Sequence, residues 1–192
     1  MATTTPPQRV DVESLLIEVA DVLNTTLDLD TLLQRVAEVV KRVIDYEIFS
    51  ILLLNERAQE LRFRFQIGHL PEVAERIRVK VGEGVTGRAV QERRAILVDD
   101  VAKETQYIEA VPRVRSELAV PLINKNRVIG VMDLEARERA YFKDEHARVL
   151  TLIASRIAVS IENARLYTRI VKQAGTLALL NEISRDLTSI QC

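Results

Sequence analysis

Cysteine and aromatic residues are scarce in this sequence. Its 192 residues include one cysteine, Cys192, and no tryptophan, and aromatic side chains make up 4% of the chain. A single thiol can form neither a disulfide within the chain nor a zinc site built from several cysteines. Surfaces that bind single-stranded nucleic acids usually stack the bases on aromatic rings. The composition therefore excludes a disulfide framework and argues against a nucleic-acid-binding function.

An excess of charge of either sign is also missing. The chain has 27 Lys and Arg against 28 Asp and Glu, which gives a net charge of −1. Proteins that bind nucleic acids or anionic lipids usually carry a basic surface. No apolar run approaches the roughly 18 residues that span a bilayer, and residues 1–10 lack the pattern of a signal peptide. We therefore expect a cytoplasmic protein that binds neither nucleic acid nor membrane.

Hydrophobic residues, in contrast, make up 47% of the chain, and their spacing near the N-terminus is helical. Residues 1–11 are rich in Thr and Pro and are expected to be a disordered tail. Over residues 12–27, apolar positions recur at threes and fours, which predicts an amphipathic helix. A second helix is predicted over 32–44, with Asp30 as its N-cap.

The hydrophobic pattern then changes to one typical of strands. Residues 48–54 form a continuous apolar run, and residues 61–67 alternate between apolar and polar, as a half-buried strand does. Four more strands are predicted, at 77–81, 95–98, 118–123 and 128–134. The Asn-rich turn between the last two favours a tight hairpin. Helices, paired strands and a final helix predict an α+β fold with a mainly antiparallel sheet.

A long helix is predicted to follow, with Asp144 as a suitable N-cap. Its apolar residues recur at close to 3.5 residues, which is the spacing of a coiled-coil interface. We predict that a homodimer forms through Leu150, Ile153, Ile157, Ala164, Tyr167 and Val171. The alternative is that this helix packs entirely against its own sheet.

The apolar pattern of the long helix slips near Gly175, and a second stripe begins after it. That stripe consists of Leu180, Ile183, Leu187 and Ile190. We therefore predict a main domain at 12–170 and a signalling or linker helix at 171–192 that leads to a following domain. Residues 179–187 also weakly repeat residues 15–23, so the chain is expected to be a fragment of a longer protein.

Four segments resemble the GAF family, whose members are sensor domains of bacterial signal-transduction proteins. They are GEGVTGRAV at 82–90, RSELAVPL at 115–122, VIGVMDL at 128–134 and IAVSIENARLY at 157–167. The resemblance implies a GAF-like, or profilin-like, antiparallel sheet of about six strands. It implies that the N- and C-terminal helices cover one face, and that residues 82–113 cap a ligand cleft on the other.

The resemblance also limits the cofactors. GAF domains that bind cyclic nucleotides carry an Asn-Lys pair after the last strand and an Asp-Glu pair further on. Here Ala136-Arg137 and His146-Ala147 stand at those positions, so a cyclic nucleotide is not expected. Bilin-binding members and free-methionine-sulfoxide reductases of this fold need cysteines for their chemistry. A covalent bilin and a reductase activity are therefore not expected, and the ligand itself stays unknown.

The GAF topology implies which side chains surround the cleft. Asp133 is expected to point into it, either as a ligand contact or as a structural group that is exposed or paired with Arg113 or Arg115. Tyr107 and Ile108 lie in the covering segment and can form an apolar lid with Val111. The predicted cleft residues are Val85, Val98, Asp99, Tyr107, Ile108, Val111 and Asp133.

Two other patterns have a functional and a structural interpretation. Gly82, Gly84 and Gly87 match the spacing of a dinucleotide-binding loop, but no parallel β-α-β unit surrounds them, so a structural turn is the better interpretation. His69 could ligate haem iron, yet His69 and His146 belong to no motif and are expected on the surface. No metal site is predicted, and neither histidine has an evident nucleophile to activate.

The sequence thus predicts a non-enzymatic, small-molecule-responsive regulatory domain. A ligand in the cleft would shift the sheet against the helices of a homodimer and bias a C-terminal output domain, such as a histidine kinase, a phosphatase or a nucleotide cyclase. The alternative is a ligand-free dimerisation and spacer domain whose cleft is filled by its own side chains. An enzyme would need a nucleophile–base pair or a metal cluster, and the sequence offers neither.

Overall fold

A computed structural model describes the backbone of residues 28–189 and the side chains of residues 28–176. The predicted tail at 1–11 and the predicted helix at 12–27 lie outside these residues, as does Cys192. The side chains of the second apolar stripe, from Leu180 onward, also lie outside them. The domain boundaries at residues 12 and 171 therefore stay predictions.

Helix α1, Leu29–Val43, begins at a side-chain cap. The cap is Asp28, whose Oδ1 accepts a hydrogen bond from the Thr31 amide at 2.8 Å. The prediction of Asp30 as the N-cap is therefore wrong. Asp30 lies in the first turn of the helix and pairs with Arg64 at 2.5 Å. The apolar face of α1 packs into the core on one side of the sheet.

Six antiparallel strands form one sheet, with the order β3-β2-β1-β6-β5-β4. The strands are β1 (Ile48–Asn55), β2 (Glu60–Ile67), β3 (Val79–Lys80), β4 (Ile96–Val98), β5 (Ser116–Asn124) and β6 (Arg127–Ala136). The other helices are α2 (Pro71–Arg76), α3 (Gly84–Glu92) and α4 (Asp144–Ser189), with a 3₁₀ turn at Val101–Lys103. The predicted α+β fold is confirmed, although β3 is shorter than the predicted strand.

The hairpin of β5 and β6 forms the centre of the molecule. Its two-residue turn consists of Lys125 and Asn126, with φ angles of 45° and 64°. Positive φ at both turn positions matches the twist of the two strands, so the predicted hairpin is confirmed. Both strands extend beyond their predicted ends, which adds two positions at the open end of each.

One face of the sheet is apolar and packs against α1 and α4. Leu118 and Val120 of β5 and Met132 and Leu134 of β6 are all completely buried there. Because successive side chains of a strand point to opposite faces, the residues between them point to the other side. The first and last described helices therefore share one face, as the resemblance implies.

The stripe of α4 that covers the sheet is the one we assigned to a dimer interface. Four of the six assigned residues are at most 1% exposed and lie in the chain's own core: Leu150, Ile153, Ile157 and Ala164. The interface prediction is wrong for these four residues, because their side chains are buried against the sheet and α1 of the same chain. Tyr167 and Val171 lie further along the helix and are exposed at 48% and 51%.

The opposite side of α4 carries a second apolar stripe, which we call the outer stripe. It consists of Leu152, Val159, Leu166 and Ile170, which are 53%, 43%, 44% and 62% exposed. Its first three members are seven residues apart, the repeat of a coiled coil. The helix therefore has two apolar lines: one on its inner side, which is buried, and one on its outer side, which is exposed.

The second face of the sheet is covered by α3 and by residues 99–113, which we call the covering segment. Val85 and Ala89 of α3 join Val101 and Val111 of the covering segment in a second apolar cluster.

Within the range that the structure describes, the helices include none with the length and hydrophobicity to cross a membrane.

Candidate functional site

A small cavity lies between the second face of the sheet and its cover. Its volume is about 30 Å³, which is room for about one or two water molecules. The sheet contributes three acidic side chains to its wall, whereas α3 contributes Val85 and Thr86 and the covering segment contributes Ile108 and Ala110. The sheet also contributes the apolar residues Leu52, Phe63 and Val79, so the cavity has acidic groups only on the side of the sheet and is otherwise mostly apolar.

The three acidic residues are neighbours on the paired strands β5 and β6. Glu117 of β5 lies directly opposite Glu135 of β6, and Asp133 precedes Glu135 by two residues on the same strand. Residues two apart share a face of the sheet, so all three line the cavity. They are only 4%, 4% and 3% exposed in the order Glu117, Asp133, Glu135. We call this group the carboxylate cluster.

Burial raises the pKa of every member of the carboxylate cluster. The pKa of Glu117 is raised by burial first and then by the charges of Asp133 and Glu135. Burial raises the pKa of Asp133 to about 7, against interactions with Glu117 and Ser50 that lower it. Burial and the charge of Asp133 raise the pKa of Glu135. Because each ionised carboxylate disfavours ionisation of the next, the cluster retains protons near neutral pH.

Several polar atoms around the carboxylate cluster have no hydrogen-bond partner among the described residues. They are Asp133 Oδ1, Glu135 Oε2, the Ser50 hydroxyl and the Tyr107 hydroxyl, all buried. Burial and then the charges of the three carboxylates raise the pKa of Tyr107, which places its ring close to them. Buried polar atoms in proteins are normally paired. Two of them, on Asp133 and Glu135, belong to side chains that line the cavity, which is typical of a site that binds something polar.

A single arginine acts on the carboxylate cluster from the cover. Arg88 of α3 lowers the pKa of Glu117 through its positive charge. Its Nη1 atom donates a hydrogen bond to Glu104 Oε2 at 3.0 Å. Arg88 therefore ties α3 to the covering segment while its charge is felt at the cavity.

The predicted ion-pair partners of Asp133 are wrong. Arg115 pairs instead with Asp100, at 3.3 Å, and Arg113 is exposed. Asp99 is also exposed, at the end of β4, and does not line the cavity. The predicted placement of Asp99 in the cleft is therefore wrong as well.

The other predicted cleft residues lie at the cavity or next to it. Val85, Ile108 and Asp133 line the cavity. The remaining three surround it within the apolar cluster beneath the cover: Val98, Tyr107 and Val111.

Sequence reasoning missed Glu117, Glu135 and Ser50. The predicted strands began at residue 118 and ended at residue 134, so both glutamates fell outside them, whereas β5 and β6 include them. Ser50 lay inside an apolar run and attracted no attention, although it faces Asp133 across β1 and β6. The signal that would have found the glutamates is the two-residue spacing of Asp133 and Glu135 on one strand.

The two histidines differ from the expectation of surface positions. His69 is buried, its ring packs edge-on against Phe63 with centroids 4.9 Å apart, and burial lowers its pKa to about 4. The surface prediction is therefore wrong for His69, which does not line the cavity. His146 is half-buried, and its Nδ1 accepts a hydrogen bond from the Lys143 amide at 3.2 Å.

The glycines before and within α3 have a structural reason. A Cβ on Gly87 would lie 2.3 Å from the carbonyl oxygen of Lys80. The Gly82 amide donates to the Gly87 carbonyl at 2.9 Å, and Gly82 has a φ of 89°. These contacts let α3 start directly against β3, above the cavity.

The curled six-stranded sheet with a covered acidic cavity defines a class of α+β domains, and a family model confirms which one. The GAF domain model matches residues 26–162, which is more than half of the 192 residues. The chain belongs to the GAF domain family.

Both a regulator and an enzyme are similar to this chain. The Nif-specific regulatory protein of Herbaspirillum seropedicae is 27% identical over 187 residues, which is 92% of this chain and 34% of that protein. The free methionine-R-sulfoxide reductase of Escherichia coli (strain K12) is 31% identical over 81 residues, 42% of this chain and 49% of that protein. The chain thus spans about a third and about half of these two relatives.

A solved structure supports the same fold. The free methionine-R-sulfoxide reductase from Neisseria meningitidis, in complex with its substrate, matches with a TM-score of 0.73 and 24% identity, covering 87% of this chain and 98% of that one. Because relatives of this fold include an enzyme as well as a regulator, family membership alone does not make this chain non-enzymatic.

Proposed function

We propose that this chain is the small-molecule-responsive regulatory domain of a larger cytoplasmic signalling protein. The observation that carries the proposal is the carboxylate cluster with its unpaired oxygens beneath the covering segment. Buried carboxylate oxygens without partners destabilise a fold, so a cavity that keeps two of them, on Asp133 and Glu135, fits a binding site better than a core. The similarity to a Nif-specific regulatory protein supports a regulatory role.

Strand β6 offers a direct route from the cavity to the helices. Asp133 lines the cavity, whereas its neighbours Met132 and Leu134 pack against the core formed with α4. A ligand that moves Asp133 therefore also moves the packing of α4, provided that it binds the two arrangements with different affinity. Because α4 continues to Ser189, it is the element that would bias a C-terminal output domain such as a histidine kinase, a phosphatase or a nucleotide cyclase.

A second copy of this chain is the proposed partner of the outer stripe. Exposed apolar side chains at a seven-residue spacing are stabilised when another helix covers them. Tyr167 and Val171, which we assigned to the interface from the sequence, follow the inner stripe along α4 and remain exposed, so they stay part of the proposed interface. In this arrangement the inner side of α4 senses the sheet and the outer side holds the dimer.

The test is a search for bound and binding molecules. Mass spectrometry of small molecules released from the purified protein, followed by calorimetry with fractionated metabolite extracts, is expected to identify at least one ligand. That ligand should slow amide hydrogen exchange in the covering segment and change it in α4. Absence of heat with every fraction would contradict the sensor function.

The ligand-free spacer is the second candidate, and one observation favours it. Tyr107 and Ile108 are half-buried and pack inward on the apolar cluster beneath the cover, so they fill much of the cleft. A spacer would keep the same hydrogen-exchange pattern with every extract fraction. The substitution Ala110→Leu, which fills the cavity, separates the two candidates. In a sensor it is expected to abolish ligand binding, whereas a spacer would have no ligand to lose and would still form its dimer.

We also propose that the domain is not an enzyme, because the sequence offers no evident nucleophile–base pair or metal cluster and has a single cysteine, whereas reductases of this fold need cysteines for their chemistry. The relevant assay is reduction of free methionine-R-sulfoxide with a thiol reductant, since two similar proteins are named for that activity. No turnover above a no-protein control is expected. Turnover that disappears in Cys192→Ser would contradict this part of the proposal.

A further inference from the structure

The carboxylate cluster also indicates what kind of ligand the cavity takes. We propose that Glu117, Asp133 and Glu135 together bind a primary ammonium group, so that the ligand is a small molecule with a free amine. This inference rests on the proposed sensor function and adds the chemical class of its ligand.

The number and kind of polar atoms match an ammonium group. A primary ammonium has three N–H donors and no acceptor, and ionised carboxylates are acceptors only. Directly opposed residues such as Glu117 and Glu135 have their Cβ atoms about 5 Å apart, which lets both carboxylates reach one central point. Asp133 Oδ1 and Glu135 Oε2 are buried with no partner among the described residues. Two N–H groups of one ammonium can therefore donate to these two oxygens, and the third can donate to Glu117 in place of its hydrogen bond with Asp133.

The balance of charge favours a cation. None of the basic side chains in residues 28–176 forms an ion pair with the carboxylate cluster, and Arg88, whose charge acts on Glu117, pairs with Glu104. A bound ammonium would supply the missing positive charge and favour the ionised carboxylates. An anionic group such as a nucleotide phosphate would be repelled by the same side chains.

The size of the cavity fits the head group but not a whole ligand. Its volume of about 30 Å³ is suited to a group about as large as a water molecule, which an ammonium is. The rest of the ligand would have to displace Ile108 or Ala110, which line the cavity from the covering segment. Glu117, Asp133 and Glu135 would close on the ammonium only when the ligand is bound, because among residues 28–176 no three acidic or histidine side chains already form a group that could hold a metal ion.

The experiment is calorimetry with the full chain and paired probes. The probes are the standard free L-amino acids, ethylamine and putrescine, each compared with its N-acetylated form, which has lost the ammonium. At least one free amine is expected to bind. Its N-acetylated form should bind at least about tenfold more weakly, because acetylation removes the ammonium and its charge-assisted hydrogen bonds to the carboxylates.

Variants then assign the binding to the carboxylate cluster. Asp133→Asn and Glu135→Gln keep the size of the side chain and remove its charge, and each is expected to weaken the amine about tenfold or more. Glu138→Gln changes an exposed carboxylate just after β6 and should leave the affinity unchanged. A cooperative thermal transition in each variant shows that it is folded.

The outcomes separate this inference from the sensor function. A metabolite that binds without an amine, or that keeps its affinity in both Asp133→Asn and Glu135→Gln, would overturn the ammonium site and leave the sensor intact. Binding of Mg²⁺, Ca²⁺ or Mn²⁺ alone that is lost in Asp133→Asn would overturn it in favour of a metal site. If neither the amine panel nor any extract fraction binds, the ammonium site and the sensor function both fail.

Discussion

The two faces of the sheet bury different chemistry on the same strands. On the helix side, Met132 and Leu134 of β6 are completely buried in an apolar core. On the cavity side, Asp133 and Glu135 of the same strand are almost as deeply buried, each with an unpaired oxygen. Burial of apolar area stabilises the fold, whereas burial of an unpaired carboxylate destabilises it.

This difference shows that the two faces have separate tasks. The helix side supplies stability and fixes the position of α4. The cavity side carries acidic groups that cost stability and that a purely structural domain would replace with apolar residues. The same contrast divides α4, whose inner stripe is buried in the core and whose outer stripe is exposed. Each prediction below changes one side of such a pair and compares it with the other.

The largest effect is expected on the inner side of α4. Ile157→Glu places a carboxylate at a residue that is 1% exposed, and is expected to lower the free energy of unfolding by roughly 4 kcal/mol or more. Val159→Glu, on the outer stripe, should leave the chain folded and weaken the dimer. Urea unfolding and sedimentation measure the two effects. A folded Ile157→Glu monomer would reinstate the dimer interface that we assigned from the sequence.

The next effect concerns the apolar face of β6. Leu134→Ala removes a completely buried side chain from the core and is expected to lower the free energy of unfolding by about 2–5 kcal/mol. Urea denaturation at pH 7 measures it. The matched change on a leucine that is 65% exposed and lies outside the outer stripe, Leu70→Ala, is the control. Equal losses for both leucines would show that the helix side is not the part that supplies stability.

On the cavity face of β6, a substitution is expected to raise the free energy of unfolding and not to lower it. The pKa of Asp133 rises from 3.8 to about 7 on folding, so its contribution to stability is present at low pH and is lost as pH rises through about 7. Asp133→Asn removes this loss. The free energy of unfolding of the Asp133→Asn variant, minus that of the unchanged protein, is expected to increase by about 2–3 kcal/mol between pH 5 and pH 8.

The pH dependence of Asp133→Asn has its own control and depends on known neighbours. Urea denaturation at pH 5, 6.5 and 8 measures it, with Glu138→Gln as an exposed-carboxylate control. A pH-independent difference would show that Asp133 is ionised and compensated in the folded protein. The ionisable groups that act on the site from the packed elements are Glu117, Glu135, Tyr107 and Arg88.

The smallest effect is expected at the cover. Arg88→Gln removes the ion pair with Glu104, whose side chains are 35% and 29% exposed, and should lower the global stability by less than about 1 kcal/mol. Amide hydrogen exchange in residues 99–113 should nevertheless become faster, because α3 no longer holds the covering segment. Arg94→Gln removes an ion pair with Glu92 away from the cavity and is the control. Equal exchange in both variants would show that Arg88 does not hold the cover.

The elements of this fold could largely be predicted from local patterns. The period of two in β2, the Asn-containing turn between β5 and β6 and the GAF-like segments are properties of neighbouring residues, so the strands, the hairpin and the family were found. The exact N-cap was not found, because Asp28 and Asp30 are equally good candidates until the path of the chain selects Asp28.

The candidate site was predicted only in part. Asp133 was found because it interrupts an apolar strand, whereas Glu117 and Glu135 stand at strand ends, where a sequence does not show how far pairing continues. Once β5 and β6 pair over residues 116–136, the three carboxylates share one face. Their common cavity and unpaired oxygens depend on that pairing and on the cover above it.

The sequence by itself determined the family, the six strands and the apolar stripes of the last helix, since each is encoded by residues close together in the chain, whereas the short helix Pro71–Arg76 was not predicted. Only the tertiary structure decided which stripe of that helix is buried. A sheet can cover one side of a helix, and the choice depends on where the strands lie. It also decided that three carboxylates from two strands meet in one buried cavity, because that proximity arises from long-range pairing and not from any local pattern.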